Sequence, residues 1–185
     1  MLTDTDFVIV DLETTGWTPG EAGITEIGAV RFAGGRVIGE FSALINPGRP
    51  IPPDVAALTG ISDAMVAGAP GIQAVLPGFL AFAGSSVLTA HNAPFDLGFL
   101  IAACGDCGLN WPAFPVLDTV TLARQVLNET EVPDCKLSTL ASYFGSPTSP
   151  CHRALADARA TAAVLHGLIG RLAESGVRTL AEISS

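Results

Sequence analysis

The chain has 185 residues, of which 18 are acidic and 9 basic, giving a net charge of −9. Its length fits one packing unit of roughly 100–150 residues, so a single domain over 1–185 with a core from about 7 to 175 is expected. With 49% hydrophobic and 15% charged residues, bulk disorder is excluded, no apolar run reaches the roughly 18 residues that span a bilayer, and the acid excess disfavours a protein that grips nucleic acid through a basic surface.

In chain order, Phe7 to Leu12 (FVIVDL) is an apolar run that suits a strand buried on both faces. Strands are expected over Ile24 to Phe32 and Val37 to Ile45, joined by the hairpin signal Ala33-Gly34-Gly35-Arg36. The proline-rich stretch Asn46 to Pro53 is a crossover loop, because proline removes backbone donors. Short helices follow at Asp54 to Leu58 and Asp63 to Val66, then a fuller helix over Gln73 to Phe82. A strand at Ser86 to Ala90 leads into a helix from Pro94 to about Cys104. A fifth strand at Val116 and Leu117 precedes helices at Val120 to Leu127, Leu137 to Phe144 and Ala154 to Glu174, and a last turn at Thr179 to Ile183. Antiparallel strands first, then strands alternating with helices, define a mixed-sheet α/β domain.

Three motifs carry chemistry. Asp11 and Glu13 lie two apart on a strand, so both carboxylates leave the same face. Such a pair is costly without a compensating cation. In HNAPFD (His91 to Asp96), Asp96 falls in the first turn of a helix, where an ordinary helix-start role is equally open, and His91 and Asn92 suit capping or turn positions. In H-x-x-x-x-D, five helical steps would set His152 and Asp157 roughly 140° apart. Pro150 instead points to a helix that starts after His152, leaving the histidine on a loop and Asp157 fixed on the helix. Four acids on three elements plus one histidine form a set for divalent metal and an activated water, and oxygen ligands favour Mg²⁺ or Mn²⁺. Two such ions about 3.5–4 Å apart can stabilise both the attacking and the leaving oxygens of a phosphodiester.

The segments VDLETTG, ITEIGAV, LTGI, LTAHNAPFDLGFL, LDT, KLSTLA and HRALADA, in this order, resemble the DEDDh (DnaQ-like) 3′-to-5′ exonucleases, the family of the DNA polymerase III epsilon subunit and of RNase T. The likeness runs from about Phe7 to Leu172. It implies an RNase H-like α/β fold, a five-stranded mixed sheet flanked by helices, and release of nucleoside 5′-monophosphates from single-stranded or frayed DNA 3′ ends. The catalytic residues it implies are Asp11, Glu13, Asp96, Asp157 and His152. The four carboxylates would hold two Mg²⁺ or Mn²⁺ ions, with Asp11 bridging both, Glu13 and Asp157 serving mainly the ion that binds the water, and Asp96 the other. His152 would be the general base, a task suited to imidazole near neutral pH. Substrate contacts carry over to Thr14, Thr15, Leu58, Thr59, Gly60 and Asn92, with Leu58 open between a wedge at the last two bases and a core leucine. Glu26 and Asp118 read as structural supports.

Alternatives stay open. RNA is a possible substrate, as for RNase T, and a DNA polymerase or repair partner is an expected associate. Catalysis could also be vestigial, leaving a nucleic-acid-end or polymerase-binding subunit. A zinc-structured domain on Cys104, Cys107, Cys135 and Cys151 is a weaker option, since CGDC has no second close pair. The start MLTDTDF lacks a secretory signal, so cytoplasmic work without membrane contact is expected. Two bound divalent cations would bring the charge from −9 to about −5, so acidity does not exclude nucleic acid; it points to binding that depends on metal.

Overall fold

The computed structural model describes residues 1–183. A 3-10 turn at Leu2–Asp4, which no sequence pattern announced, precedes β1 (Phe7–Thr14), β2 (Ile24–Ala33), β3 (Arg36–Leu44), α1 (Pro53–Thr59), α2 (Asp63–Val66) and α3 (Ile72–Ala83). Then come β4 (Val87–Ala90), α4 (Ala93–Asp106), β5 (Val116–Asp118), α5 (Thr119–Val126), α6 (Leu137–Tyr143), α7 (Ala154–Glu174) and α8 (Leu180–Ile183). The five strands form one sheet in the order β3-β2-β1-β4-β5. β2 runs antiparallel to both its neighbours, while β1, β4 and β5 are parallel, so the sheet is mixed as expected.

Side chains of β1 alternate between two cores. Phe7 and Ile9 join Val30, Phe32, Leu122, Leu140, Leu165 and Leu168 on the face covered by α5, α6 and α7. Val8, Val10 and Leu12 join Ile27, Leu76, Phe79, Phe99 and Leu100 on the face covered by α3 and α4. That sandwiching explains why β1 and β2 read as nearly continuous apolar runs, whereas the edge strand β3 is mostly exposed. The hairpin between β2 and β3 turns on Gly34 and Gly35, both at positive φ (58° and 76°), as a two-residue hairpin loop requires. A third, small cluster of Ile51, Ile61 and Val66, with Val55 and Ala56 against it, supports α1 and α2.

Two features of this frame place the acids. β4 pairs with β1 only as far as Ile9↔Thr89, so the last turns of β1's pleat, from Val10 onward, are free of β4. Asp11 is opposite Gly28 in β2, and a Cβ on Gly28 would come 2.1–2.5 Å from the backbone of Ala154 and Leu155. Glycine there lets the start of α7 lie directly on the sheet beside Asp11. β1 continues two residues past its expected end, to Thr14, because Glu13 still pairs with Glu26 of β2 before a register shift.

Candidate active site

Asp11 and Glu13 extend the Phe7–Ile9 side of β1, the side on which α7 packs. Asp157 sits in the first turn of α7 and meets them from that layer. Asp96, in the first turn of α4, comes from the opposite layer. Its Oδ1 accepts the Leu12 amide at 3.0 Å, taking over a backbone donor that β4 no longer satisfies. All four carboxylates line one cleft of about 210 Å³ at the C-terminal end of β1, together with His152. This is the position where open α/β sheets bind ligands. A larger cavity of about 470 Å³, bordered by Asn46, Arg49 and Gln73, holds a single carboxylate, Asp106, and no such cluster.

The four acids are held away from the usual carboxylate range. Burial, then the charges of Asp96, Asp157 and Glu13, push Asp11 well up. Burial followed by Asp157 and Glu26 lifts Glu13 from 4.5 to about 8. Burial also takes Asp96 from 3.8 to about 8 against the opposing pull of the Leu12 amide. Asp157 is raised by burial, opposed by the Cys151 amide and the nearby His152. Burial is the largest cause of each shift, and Arg153 near Glu13 and His152 near Asp157 offset it only in part. Glu13 is only 8% exposed, and among the described residues its carboxylate has no hydrogen bond or ion pair. Clustered, poorly satisfied carboxylates of this kind fit hard divalent cations.

His152 is exposed on the loop before α7, with φ of +56°. Asp157 organises that loop: its Oδ1 accepts the Cys151 amide at 2.8 Å and its Oδ2 the His152 amide at 3.3 Å. The next residue, Arg153, donates from Nε and Nη2 to Glu26 at 3.1 and 2.9 Å, and Glu26 also accepts the Ala154 amide at 2.9 Å. Glu26, 3% exposed, therefore ties the start of α7 to β2. At the other side of the site Asp118 plays a comparable part. It accepts the amides of Asn92 and Ala93 at the start of α4, and the Val120 amide and Thr121 hydroxyl of α5.

Of the expected substrate contacts, Thr14, Leu58 and Thr59 line the cleft and Thr15, Gly60 and Asn92 do not. Leu58 is 50% exposed, so it is not a core leucine. Thr59 donates its hydroxyl to the Val55 carbonyl at 3.0 Å, and Thr14 to the Gly16 carbonyl at 2.6 Å. Thr15 is buried, and both its amide and its hydroxyl are engaged by Gly23. Gly60 closes α1 in a left-handed conformation. Asn92 is exposed in the same conformation (φ 73°), its amide held by Asp118.

His91, Trp17 and Phe95 are among the cleft residues that the sequence left unassigned. His91, read there as a turn residue, lines the cleft with Nδ1 2.8 Å from the Thr119 hydroxyl, and burial lowers its pKa. Trp17 is 81% exposed and rests edge-on against Phe95, ring centroids 6.0 Å apart. Trp17 directly follows the Thr-Thr-Gly break after β1, and an aromatic held open at that point is the one signal that marked it. All four cysteines are free and lie on separate elements apart from the pair ending α4. Among the described residues the one group of three or more side chains placed to share a metal is Glu13, His152 and Asp157, so the cysteine-zinc option finds no support.

The family model for exonucleases (RNase_T) matches residues 8–165, and the chain belongs to this DnaQ-like exonuclease family. It is 54% identical over its whole length to the Mycobacterium tuberculosis (strain CDC 1551 / Oshkosh) "Putative bifunctional exonuclease/endonuclease protein MT2247", of which it spans 30%. It is 39% identical over 97% of its length to the PolC-type DNA polymerase III of Caldanaerobacter subterraneus subsp. tengcongensis, spanning 13% of that protein. Among solved structures, exonuclease X in complex with 5′ overhanging duplex DNA matches with a TM-score of 0.76 and 30% identity, over 97% of this chain and 99% of that one. Escherichia coli exonuclease I with a dT13 oligonucleotide matches with a TM-score of 0.80 over 94% of this chain and 43% of that one; at 19% identity this speaks to the fold alone. The family match and the exonuclease X likeness place the chain among exonuclease domains, as a part of much longer curated relatives.

Proposed function

We propose that this chain hydrolyses phosphodiester bonds from the 3′ ends of single-stranded or frayed DNA, releasing nucleoside 5′-monophosphates in a reaction that requires two Mg²⁺ or Mn²⁺ ions. The observation that carries the proposal is the convergence of Asp11, Glu13, Asp96 and Asp157, all with raised pKa values, on one cleft with His152 at its rim. Those carboxylates would hold the cations, which when bound supply Lewis acidity toward the scissile phosphate and draw the four acids into their charged form.

The remaining work falls to the chain. His152 accepts a proton from the attacking water, from a loop that Asp157 and the Arg153–Glu26 pair hold in place. Thr14, Leu58 and Thr59 contact the terminal nucleotide, with Trp17 on Phe95 offering a face on which a base can stack. Thr15, Gly60 and Asn92 act one step back, by shaping the loops that carry these contacts. Arg31, Lys136, Arg153, Arg159 and Arg171, five of the nine basic side chains, are in ion pairs, which reduces the positive charge open to phosphates. Binding of nucleic acid should therefore depend on divalent cations. Working in the cytoplasm agrees with four free cysteines and with the finding that, among the described residues, no helix is long and apolar enough to cross a membrane. The likeness to part of PolC-type DNA polymerase III supports action beside a polymerase.

Side-by-side digestion of matched DNA, RNA and mismatched-primer substrates, 5′-labelled, tests this. Stepwise shortening of the DNA from its 3′ end with Mg²⁺ or Mn²⁺, and none in EDTA, is expected. Faster RNA shortening would reassign the substrate to RNA, and no shortening under any metal would leave only an end-binding role.

A further inference from the structure

The cleft holds a second donor set inside the first. One ligand atom each from Glu13 on β1, His152 on the loop and Asp157 on α7 lie within 4.8 Å of one another. Two carboxylate oxygens and an imidazole nitrogen are a donor set for a borderline cation, above all zinc, whereas magnesium keeps to oxygen. Two further observations favour a ligand here. Glu13 is 8% exposed, lines the cleft, and has no hydrogen bond or ion pair among the described residues. Asp157 already has both oxygens fixed by the Cys151 and His152 amides. Amide bonds to a ligating carboxylate orient it, and these also set the loop so that the His152 ring stands beside the two acids. Each Asp157 oxygen keeps a lone pair for a cation.

We propose that Glu13, His152 and Asp157 form an inhibitory zinc site in which His152 acts as a ligand rather than as a proton acceptor. Zinc bound there occupies the imidazole lone pair that the water would need, and it takes Glu13 and Asp157 from the activating cations. The arrest is therefore competitive with Mg²⁺ or Mn²⁺. The existence of the site stands on its donors; its inhibitory effect rests on the exonuclease function proposed above.

The test separates the two. Calorimetric titration of the full chain with ZnCl₂ alone should show one equivalent bound, with affinity falling at least about tenfold in His152→Ala and in His152→Gln, while the Mn²⁺ affinity of both variants is unchanged. Co²⁺ as a spectroscopic probe should give intense visible bands of low coordination number in the wild type and lose them in His152→Ala. Equal zinc affinity in the wild type and both variants, or a Co²⁺ spectrum indifferent to His152, would overturn the site. In nuclease assays, zinc inhibition relieved by excess Mn²⁺ supports the arrest, and inhibition that Mn²⁺ does not relieve overturns it. A wild type that binds zinc through His152 but degrades nothing overturns the exonuclease function and leaves the zinc site standing.

Discussion

Glu26 and Asp118 are acids at the same site as Asp11 and Glu13, yet the fold treats the two groups in opposite ways. Glu26 is saturated by Arg153 and the Ala154 amide. Burial alone would raise Asp118, but hydrogen bonds led by the Thr121 hydroxyl and the Val120 amide outweigh it and lower its pKa. Glu13, by contrast, faces the cleft with no hydrogen bond or ion pair among the described residues, and is pushed to about 8. Burial is common to both groups; the supply of donors is not. Carboxylates that cap loops are completed by the protein, and those left incomplete are the ones placed to be completed by something bound.

Exchanging members between the groups should give unlike losses. The largest effect is expected from the incomplete set. Asp11→Asn should lower exonuclease turnover on the order of 10³-fold while leaving the metal-free protein as stable as before or more so, because it removes unbalanced charge. Rate assays and EDTA melts read both. Gly28→Ala should cost about 1–3 kcal/mol and also cut turnover, since its Cβ would meet the Ala154–Leu155 backbone at 2.1–2.5 Å and displace the start of α7 that carries Asp157. Denaturant melts paired with rates would check it, and a stable, fully active variant would show that α7 need not lie so close.

Breaking the saturated set should act on stability first. Glu26→Ala should cost about 1–3 kcal/mol, through an unpaired Ala154 amide and an Arg153 that is partly able to reach water. Its turnover should fall less than that of Asp11→Asn. The smallest effect belongs to the cleft rim. Trp17→Ala should raise KM by about tenfold or less, the worth of one stacked base, with kcat little changed; steady-state kinetics on a short oligonucleotide would show it.

The acids and the histidine were legible in the sequence because their spacing is local: D-x-E on one strand, an acid in a first helical turn, a histidine just before a helix. The five strands were legible for the same reason, since β1 and β2 are covered on both faces and so read as apolar runs. What escaped depends on segments distant in the chain. Nothing near Trp17 announces that Phe95 will support it, and nothing near His91 announces Thr119. Thr15 shares its tripeptide with Thr14, yet its hydroxyl is taken up by Gly23 across the loop rather than turned to the cleft. The sequence could not separate these two threonines, because the difference lies in where the β1–β2 loop closes.

Thermal stability against pH, with and without Mn²⁺, tests most directly whether the incomplete carboxylates await cations. Glu13 rises from 4.5, and Asp96 from 3.8, to about 8 in the folded chain, so between those values the folded state binds more protons than the unfolded one. Stability should then fall as pH rises from about 5 to 8 in EDTA. Saturating Mn²⁺ should abolish most of that fall and raise Tm most at the alkaline end. A flat EDTA profile, or a Tm indifferent to Mn²⁺ at pH 8, would contradict the account.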